Sequence, residues 1–198
     1  MKNGAPIVFA ITGASGAPYA VRLLEQLLVA ERKISLIVSS YGLRLLSTET
    51  DIKSIDALRD RVGANAWAKH VTVFANDDRG AAPASGSAKT AGMVVCPCSM
   101  GTLSAISIGA SRSLIERAAD VTLKERRKLI LMPRETPLSA IHLGNMLRLA
   151  RAGAVILPAS PAFYNRPQKL EDAIDFVVAR ILDQLEVENT LVKRWKGN

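Results

Sequence analysis

The chain is poor in the residues that build disulfide frameworks and metal sites. Its 198 residues include 2 cysteines and 2 histidines, and aromatic residues make up 5% of the total. Cys96 and Cys98 are separated only by Pro97, a spacing that rarely allows a disulfide, and no Cys or His cluster accompanies them. We therefore expect neither disulfides nor a bound metal, and we interpret both cysteines as small packing residues at the end of a strand.

Long apolar runs are absent as well. No stretch of about 18 apolar residues occurs, which predicts that the chain does not span a membrane. The first apolar segment, residues 7–11, is too short for a signal peptide and leads into a glycine-rich turn, so we expect a cytoplasmic protein. Apolar residues make up 48% and charged residues 22%. This composition predicts one globular domain over residues 1–198, in which the tail 184–198, with Trp195, is either a contact arm for oligomers or a frayed C-terminus.

The formal net charge of +8 raises the question of nucleic-acid binding. The one dense basic group lies between residues 112 and 128, where Glu116, Asp120 and Glu125 interrupt it. No helix-turn-helix, zinc-finger or aromatic RNA-binding signature is visible. We therefore expect no nucleic-acid partner, and we interpret the positive charge as attraction for small phosphorylated ligands.

Short apolar segments alternate with segments of helical period along the chain. The predicted strands are Ile7–Thr12, Ile34–Ser39, Val71–Phe74, Met93–Cys96, Leu129–Met132 and Ala154–Leu157. The predicted helices are Ala17–Ala30, Gly42–Thr48, Thr102–Ile108, Ser113–Arg126, Leu138–Arg151 and Glu171–Leu185. This alternation predicts an α/β fold: a single-domain Rossmann-like (flavodoxin-like) parallel sheet with helices on both faces. The irregular stretch 76–87 is either a ligand-side loop or a plain connection.

The turn after the first strand contains Gly13, Ala14, Ser15 and Gly16. Glycines let the backbone approach a ligand, and the following helix offers free N–H groups. The Gly-x-x-Gly spacing differs from the dinucleotide motif, and the second strand ends in Ser39 rather than in an acidic residue. A structural turn with Ser15 as the helix N-cap explains the same residues equally well.

The turn after the fourth strand contains Ser99, Met100, Gly101 and Thr102. Ser99 is well placed to cap the next helix, and small residues leave the first-turn amides accessible. Such a turn is typical of phosphate sites, so we favour anion binding here over simple capping.

The segment Pro133–Pro137 places Arg134 and Glu135 directly after a buried strand. Ligands of open α/β sheets bind at the carboxyl ends of the strands, where these two charges would lie. The arginine can clamp a phosphate or lie against a flat ring, and the glutamate can exchange protons. The alternative is a solvated ion pair in a surface turn.

Three further polar residues are candidates for the same site. Tyr164 follows the last strand, and Arg180 lies in an apolar helix where either an anion or a neighbouring acid, Asp175 or Asp183, is its partner. Lys124 closes a helix, where complementation of the helix dipole is the alternative interpretation.

These motifs resemble the UbiX/Pad-type flavin prenyltransferases over nearly the whole length. The resemblance rests on spaced motifs in one order: Thr12–Gly16, Pro97–Ser99, Glu116–Val121, Leu123–Arg127, Pro133–Pro137, Gly153–Pro158, Phe163–Tyr164, Arg166–Gln168 and Asp175–Asp183. Several motifs in a fixed order are more specific than any one of them.

The resemblance implies that the chain joins a dimethylallyl group from dimethylallyl monophosphate to N5 and C6 of reduced FMN. The residues implied to hold FMN are Gly13, Ala14, Ser15, Ser39, Ser99, Met100, Gly101, Thr102 and Arg134. Those implied to bind the prenyl donor are Lys124, Arg134, Glu135, Tyr164 and Arg180, and those implied to assist catalysis are Ser15, Glu49, Lys124, Glu135, Tyr164 and Arg180. The resemblance also implies a homododecamer with sites at subunit contacts, no metal, and a UbiD-type decarboxylase that receives the prenylated FMN.

One departure and two rival functions accompany this resemblance. Some relatives carry an aromatic residue in the loop that corresponds to 76–87, where this chain has Asp77, Asp78 and Arg79. An FMN-dependent cysteine-type decarboxylase is the first rival, although such enzymes typically carry Asn-Thr where this chain has Gly101-Thr102. A non-enzymatic flavin carrier is the second, although a carrier needs no second anion site.

Overall fold

Six parallel strands form one sheet in this computed structural model, which describes residues 4–193. The strand order is β3-β2-β1-β4-β5-β6. The strands are β1 Ile7–Ile11, β2 Ile34–Val38, β3 Val71–Phe74, β4 Gly92–Cys98, β5 Leu129–Pro133 and β6 Val155–Ile156. This is the Rossmann strand order, which differs from the flavodoxin order 2-1-3-4-5. Both orders belong to the predicted α/β class.

Residues 4–193 contain eight α-helices, of which the first seven lie between strands and the eighth follows the last strand. They are α1 Ala17–Val29, α2 Ser40–Thr50, α3 Ile55–Val62, α4 Ala64–His70, α5 Met100–Ser107, α6 Leu114–Lys124, α7 Ala140–Arg151 and α8 Leu170–Gln184. Among residues 4–193, no helix is long and apolar enough to cross a membrane.

The core lies on both faces of the sheet because the strands bury both sets of alternating side chains. In β1, Ile7, Phe9 and Ile11 belong to the cluster that packs on α1 and α8. Val8 and Ala10 belong to the opposite cluster, which packs on α5 and α6. The prediction of a parallel sheet with helices on both faces is therefore confirmed.

The helices α3 and α4 have no counterpart in the prediction. Each contributes a single buried side chain, Leu58 from α3 and Trp67 from α4. One buried residue in each short helix leaves no apolar stripe of helical period in the sequence.

The tail after α8 packs on its own chain as far as it is described. Leu185 and Val187 are buried in the core, and Lys128 Nζ donates a hydrogen bond to the Gln184 carbonyl at 2.7 Å. Trp195 and the rest of the proposed contact arm beyond residue 193 lie outside the described residues.

The two cysteines are free and fully buried at the end of β4, as their interpretation as packing residues requires. The Cys96 thiol lies 3.5 Å from the Met132 sulfur. Burial raises the pKa of both thiols, that of Cys98 to about 12. The reactive thiolate is therefore almost absent at neutral pH.

We expect neither thiol to react with a disulfide reagent in the native protein at pH 8. With a pKa near 12, the thiolate form of Cys98 is about one part in ten thousand at that pH. Titration with 5,5′-dithiobis(2-nitrobenzoate) should give both thiols only after unfolding in guanidinium. Rapid reaction of either thiol in the folded protein would contradict this description of the β4 end.

Candidate functional site

A cleft of about 260 Å³ opens at the carboxyl edge of the sheet, next to the point where β1 and β4 lie side by side. It is lined by Gly13, Ser39, Ser40, Tyr41, Asn76, Ser99, Thr102, Ser113, Ile115 and Glu116. Strand order reverses at β1, and such switch points are where open α/β sheets bind ligands. The cleft thus brings together the first-strand turn, the end of β2 and the fourth-strand turn, as the sequence predicts.

The buried Thr12 joins the ends of the two central strands. Its hydroxyl donates to the Pro97 carbonyl at 2.8 Å and accepts from the Ser99 amide at 2.8 Å. The Thr12 amide adds a third bond to the Pro97 carbonyl at 3.2 Å. One side chain therefore fixes the distance between the two turns that line the cleft.

Two glycines at this edge differ in what a side chain there would meet. A Cβ at Gly13 would collide with the Cβ of Tyr41, so glycine lets the first turn of α2 lie against the β1–α1 turn. At Gly101 an added Cβ would have only Ser99 Oγ within 4.0 Å, which leaves the first turn of α5 open to a ligand.

The first turns of α2 and α5 carry free amide donors. Each helix is capped by one serine hydroxyl: Ser39 Oγ accepts from the Gly42 amide at 3.0 Å, and Ser99 Oγ accepts from the Thr102 amide at 3.2 Å. Ser99 is the N-cap, as predicted. The remaining first-turn amides have no hydrogen-bond partner within residues 4–193; they belong to Ser40, Tyr41, Met100 and Gly101.

The N-terminus of α6 is closed by Asn76, which follows β3. The Asn76 carbonyl accepts from the Leu114 amide at 2.7 Å, and its side-chain Oδ1 accepts from the Ile115 amide at 3.2 Å. Ser113 Oγ accepts from the Glu116 amide at 3.3 Å. This helix therefore faces the cleft without a free first-turn donor.

The N-terminus of α1 is closed by Glu49, which lies near the end of α2. Glu49 Oε2 accepts from the amides of Gly16 and Ala17, both at 2.8 Å. Pro18 has no N–H, and the Tyr19 amide bonds to the Gly16 carbonyl at 3.1 Å. The interpretation of Ser15 as the N-cap is wrong: Gly16 is the N-cap, and the distant carboxylate satisfies the amides that a serine would have capped.

The Arg134–Glu135 turn lies at the same edge and contacts the β1–α1 turn. Arg134 Nε donates to the Ser15 carbonyl at 3.1 Å, and its Nη atoms have no partner within the described residues. Glu135 is exposed, and its side chain accepts from the Thr136 amide at 3.1 Å. Arg134 therefore lies beside Ser15 with its Nη atoms available to a ligand, and the exposed Glu135 side chain follows it in the same turn.

Lys124 does not reach this edge in its own chain. It is the last residue of α6, which runs from the cleft to the start of β5 at the amino edge of the sheet. There Lys124 Nζ pairs with Glu125 at 2.6 Å and lowers the pKa of that carboxyl through the hydrogen bond. Within one chain, Lys124 and Arg134 thus lie at opposite edges of the sheet.

Tyr164 and Arg180 share a second cleft of about 300 Å³ along α8. The Tyr164 ring packs edge-on against Phe176 at 6.0 Å, and Arg180 pairs with Asp183 at 2.8 Å. Asp175, the other predicted partner of Arg180, instead binds Arg22 at 2.6 Å. This cleft shares no lining residue with the first, so a single chain separates the two parts of the predicted site.

The sequence interpretation did not identify Asn76 and Glu116 as residues that line the cleft. Asn76 directly follows β3, a carboxyl-edge position that could have identified it. Buried Glu116 accepts hydrogen bonds from Arg112 and raises the pKa of that guanidinium. Met100 and Ala14, by contrast, bury their side chains and offer only backbone to a ligand.

Comparison with known proteins identifies the family. The Flavoprotein family model matches residues 1–193. Flavin prenyltransferase UbiX from Pseudomonas aeruginosa is 50% identical over 98% of this chain and 96% of its own length. UbiX from Methanocaldococcus jannaschii is 48% identical over 96% of this chain and 97% of its own. The chain belongs to the UbiX-type flavin prenyltransferases.

Solved UbiX structures share the whole fold. The structure of AnUbiX (PadA1) in complex with FMN and dimethylallyl pyrophosphate is 42% identical, covers 98% of both chains and has a TM-score of 0.88. A dodecameric FMN-dependent UbiX-like decarboxylase from Escherichia coli O157:H7 is 41% identical, covers 97% of this chain and all of its own, and has a TM-score of 0.89. The cysteine decarboxylase TvaF, at 15% identity, shares the fold alone.

We expect Thr12→Val to weaken FMN binding about tenfold, because valine keeps the shape and leaves the partly buried Ser99 amide without its acceptor. Thr12→Ser is the matched control, since it retains the hydroxyl and should bind FMN nearly as tightly as the wild type. Quenching of flavin fluorescence measures both dissociation constants. Equal affinity in the valine variant would show that Thr12 does not set the spacing of the two turns.

Proposed function

We propose that this protein transfers a dimethylallyl group from dimethylallyl monophosphate to N5 and C6 of reduced FMN. The observation that carries this proposal is the pair of open helix N-termini, α2 and α5, beside the Arg134–Glu135 turn at one sheet edge. The membership of the chain in the UbiX-type family supports the same activity.

The phosphate of FMN fits between the first turns of α2 and α5. Free amides at a helix N-terminus point along the positive end of the helix dipole, and both favour an anion. The hydroxyls of Ser39, Ser99 and Thr102 lie on the same wall of the cleft. Gly13 to Ser15 and Arg134 then border the path that leads from this phosphate site toward the flavin ring.

When bound, reduced FMN supplies the electron-rich N5 and C6 that accept the prenyl carbons. The bond from N5 to the prenyl group would replace the allylic C–O bond, and phosphate would leave with the N5 proton. The bond from C6 would use the electron pair of the prenyl double bond, and the proton lost from C6 balances the proton that the double bond gains. Cations stabilise the charge that develops on the departing phosphate, and Arg134 is positioned for this role at the cleft edge. Glu135, exposed beside it, is the proposed group that protonates the phosphate or takes up the ring proton, with Ser15 as the proton relay near N5.

A second copy of the chain completes the donor site. Lys124 lies at the amino edge, and Tyr164 and Arg180 line a separate cleft along α8, so we propose that a neighbouring chain brings them to Glu135. Assembly through subunit contacts brings such separated residues together. The UbiX-like relative from Escherichia coli O157:H7 is dodecameric, and we propose the same assembly here.

The helix α7 offers an apolar surface for such contacts. It buries only Leu149, whereas Ile141, Leu143 and Leu147 are 73%, 53% and 52% exposed. Exposed apolar side chains on one helix are typical of protein–protein contacts.

A prenylated flavin made by this protein would serve as the cofactor of a second enzyme. We propose a UbiD-type decarboxylase as the recipient. We propose the monophosphate as the donor; AnUbiX was solved with dimethylallyl pyrophosphate, so a diphosphate donor is the natural comparison.

We expect anaerobic incubation with reduced FMN and dimethylallyl monophosphate to yield flavin that has gained one dimethylallyl unit. Mass spectrometry of the released flavin measures this gain, and phosphate release should match it. Glu135→Gln should still bind FMN but lose turnover at least about a hundredfold, the range of a general acid or base. Unmodified flavin from wild-type protein that binds FMN would contradict the proposed activity.

Mixing two inactive variants tests the shared site. We expect Lys124→Ala and Glu135→Gln to be inactive alone and to recover about a quarter of wild-type activity when co-assembled in equal amounts, because random mixing then joins both intact residues at one site in four. Co-expression with two different tags isolates the mixed oligomer. Absence of recovery in that oligomer would show that both residues act from one chain.

A further inference from the structure

A buried carboxylate lines the cleft in which we place the phosphate of FMN. Glu116 is 8% exposed, and it is the one carboxylate among the ten described residues that line this cleft of about 260 Å³. A cleft of this size brings a bound phosphate within several ångströms of each lining side chain. Like charges at such distances repel where solvent screening is weak, so Glu116 alone would oppose the ligand.

Arg112 supplies the compensating charge. Its Nη2 donates to Glu116 Oε1 at 3.0 Å, and its Nε donates to Glu116 Oε2 at 3.3 Å. The side chain of Glu116 is 10% exposed and that of Arg112 is 74% exposed. A guanidinium at the protein surface therefore holds both oxygens of a carboxylate that lines the cleft, and this two-point pairing fixes the geometry as well as the charge.

Capping of α6 explains only part of this contact. Ser113 is the N-cap of α6, and Glu116 is the third residue of the helix, which is the spacing of a capping box. Glu116 Oε2 accepts from the backbone amide of Arg112 at 2.8 Å, just before the N-cap. Any residue at position 112 other than proline offers that amide, so the cap does not require the guanidinium.

We propose that Arg112 is a specificity-determining residue for phosphorylated flavin, because it neutralises Glu116 and so keeps the cleft free of net negative charge. This inference rests on the proposed flavin site and goes beyond it by giving a function to the Arg112–Glu116 pair. Without the guanidinium, the charge of Glu116 acts on the phosphate of FMN and leaves a flavin without a phosphate unaffected.

The probes are FMN and riboflavin, which share the flavin ring and differ by the phosphate. The ratio of the riboflavin to the FMN dissociation constant isolates the contribution of the phosphate from any general loss of flavin affinity. A role of Arg112 in helix capping alone would change both constants together and leave the ratio unchanged. Flavin fluorescence quenching measures both constants for each variant.

We expect Arg112→Ala to lower this ratio about tenfold, because the carboxylate in the cleft loses its counter-charge. Arg112→Lys keeps the charge without the two-point geometry, so its ratio should stay within about threefold of the wild type. Arg59→Ala is the matched control: it removes the same charge from α3, where Arg59 pairs with Asp56 at 2.8 Å, and its ratio should equal that of the wild type.

The double variant Arg112→Ala, Glu116→Gln tests whether Arg112 acts through Glu116. Removal of both charges should return the ratio to within about twofold of the wild type, since neighbouring residues that act as a unit are not additive. A wild-type ratio in Arg112→Ala would overturn the proposal, and so would a double variant with a ratio as low as that of Arg112→Ala.

Circular dichroism establishes that each variant folds. If Arg112→Ala does not fold, Glu116→Gln decides: it leaves the guanidinium uncompensated beside the cleft and should raise the ratio about threefold. An unchanged ratio in that variant would overturn the proposal as well. Failure of the wild type to bind FMN is a different result, because it removes the proposed function itself.

Discussion

The hydroxyl of Thr12 is the contact on which the geometry of the site depends. It bridges the Pro97 carbonyl and the Ser99 amide, both at 2.8 Å, and so ties the end of β1 to the end of β4. A buried hydroxyl with both of its hydrogen-bonding functions used is costly to misplace, because each lost partner leaves an unsatisfied polar group. The two central strands therefore present their turns at a fixed separation, and the cleft forms between them.

Hydrogen bonds from side chains to the first-turn amides then determine which helix N-termini keep free donors for an anion. Several helices begin at the carboxyl edge, among them α1, α2, α5, α6 and α7, and simple dipole arguments treat all of them as anion sites. Glu49 closes α1 and Asn76 closes α6, while the serine caps of α2 and α5 leave further amides unpaired. The first turns of α2 and α5 line the cleft and keep free amides, and the net charge of +8 adds only general attraction.

Most elements and turns of this fold could be predicted because their signals are local; α3 and α4, with one buried side chain each, are the exceptions. The strands are buried on both faces, which produces short continuous apolar runs such as Ile7–Ile11, and Ser99 caps the helix that follows it. The closing contacts could not be predicted, since Glu49 and Asn76 lie 33 and 39 residues from the amides that their side chains bind. Lys124 and Arg134 are separated because α6 runs across the sheet from the carboxyl edge to the amino edge. The polar residues of the sequence alone do not reveal that path.

A crystal structure of the FMN complex tests the central claim most directly. The account predicts phosphate oxygens within about 3 Å of amide nitrogens in the first turns of both α2 and α5, with Glu49 still bound to the Gly16 and Ala17 amides. A phosphate at the α1 N-terminus with Glu49 displaced, or one that contacts neither α2 nor α5, would contradict it.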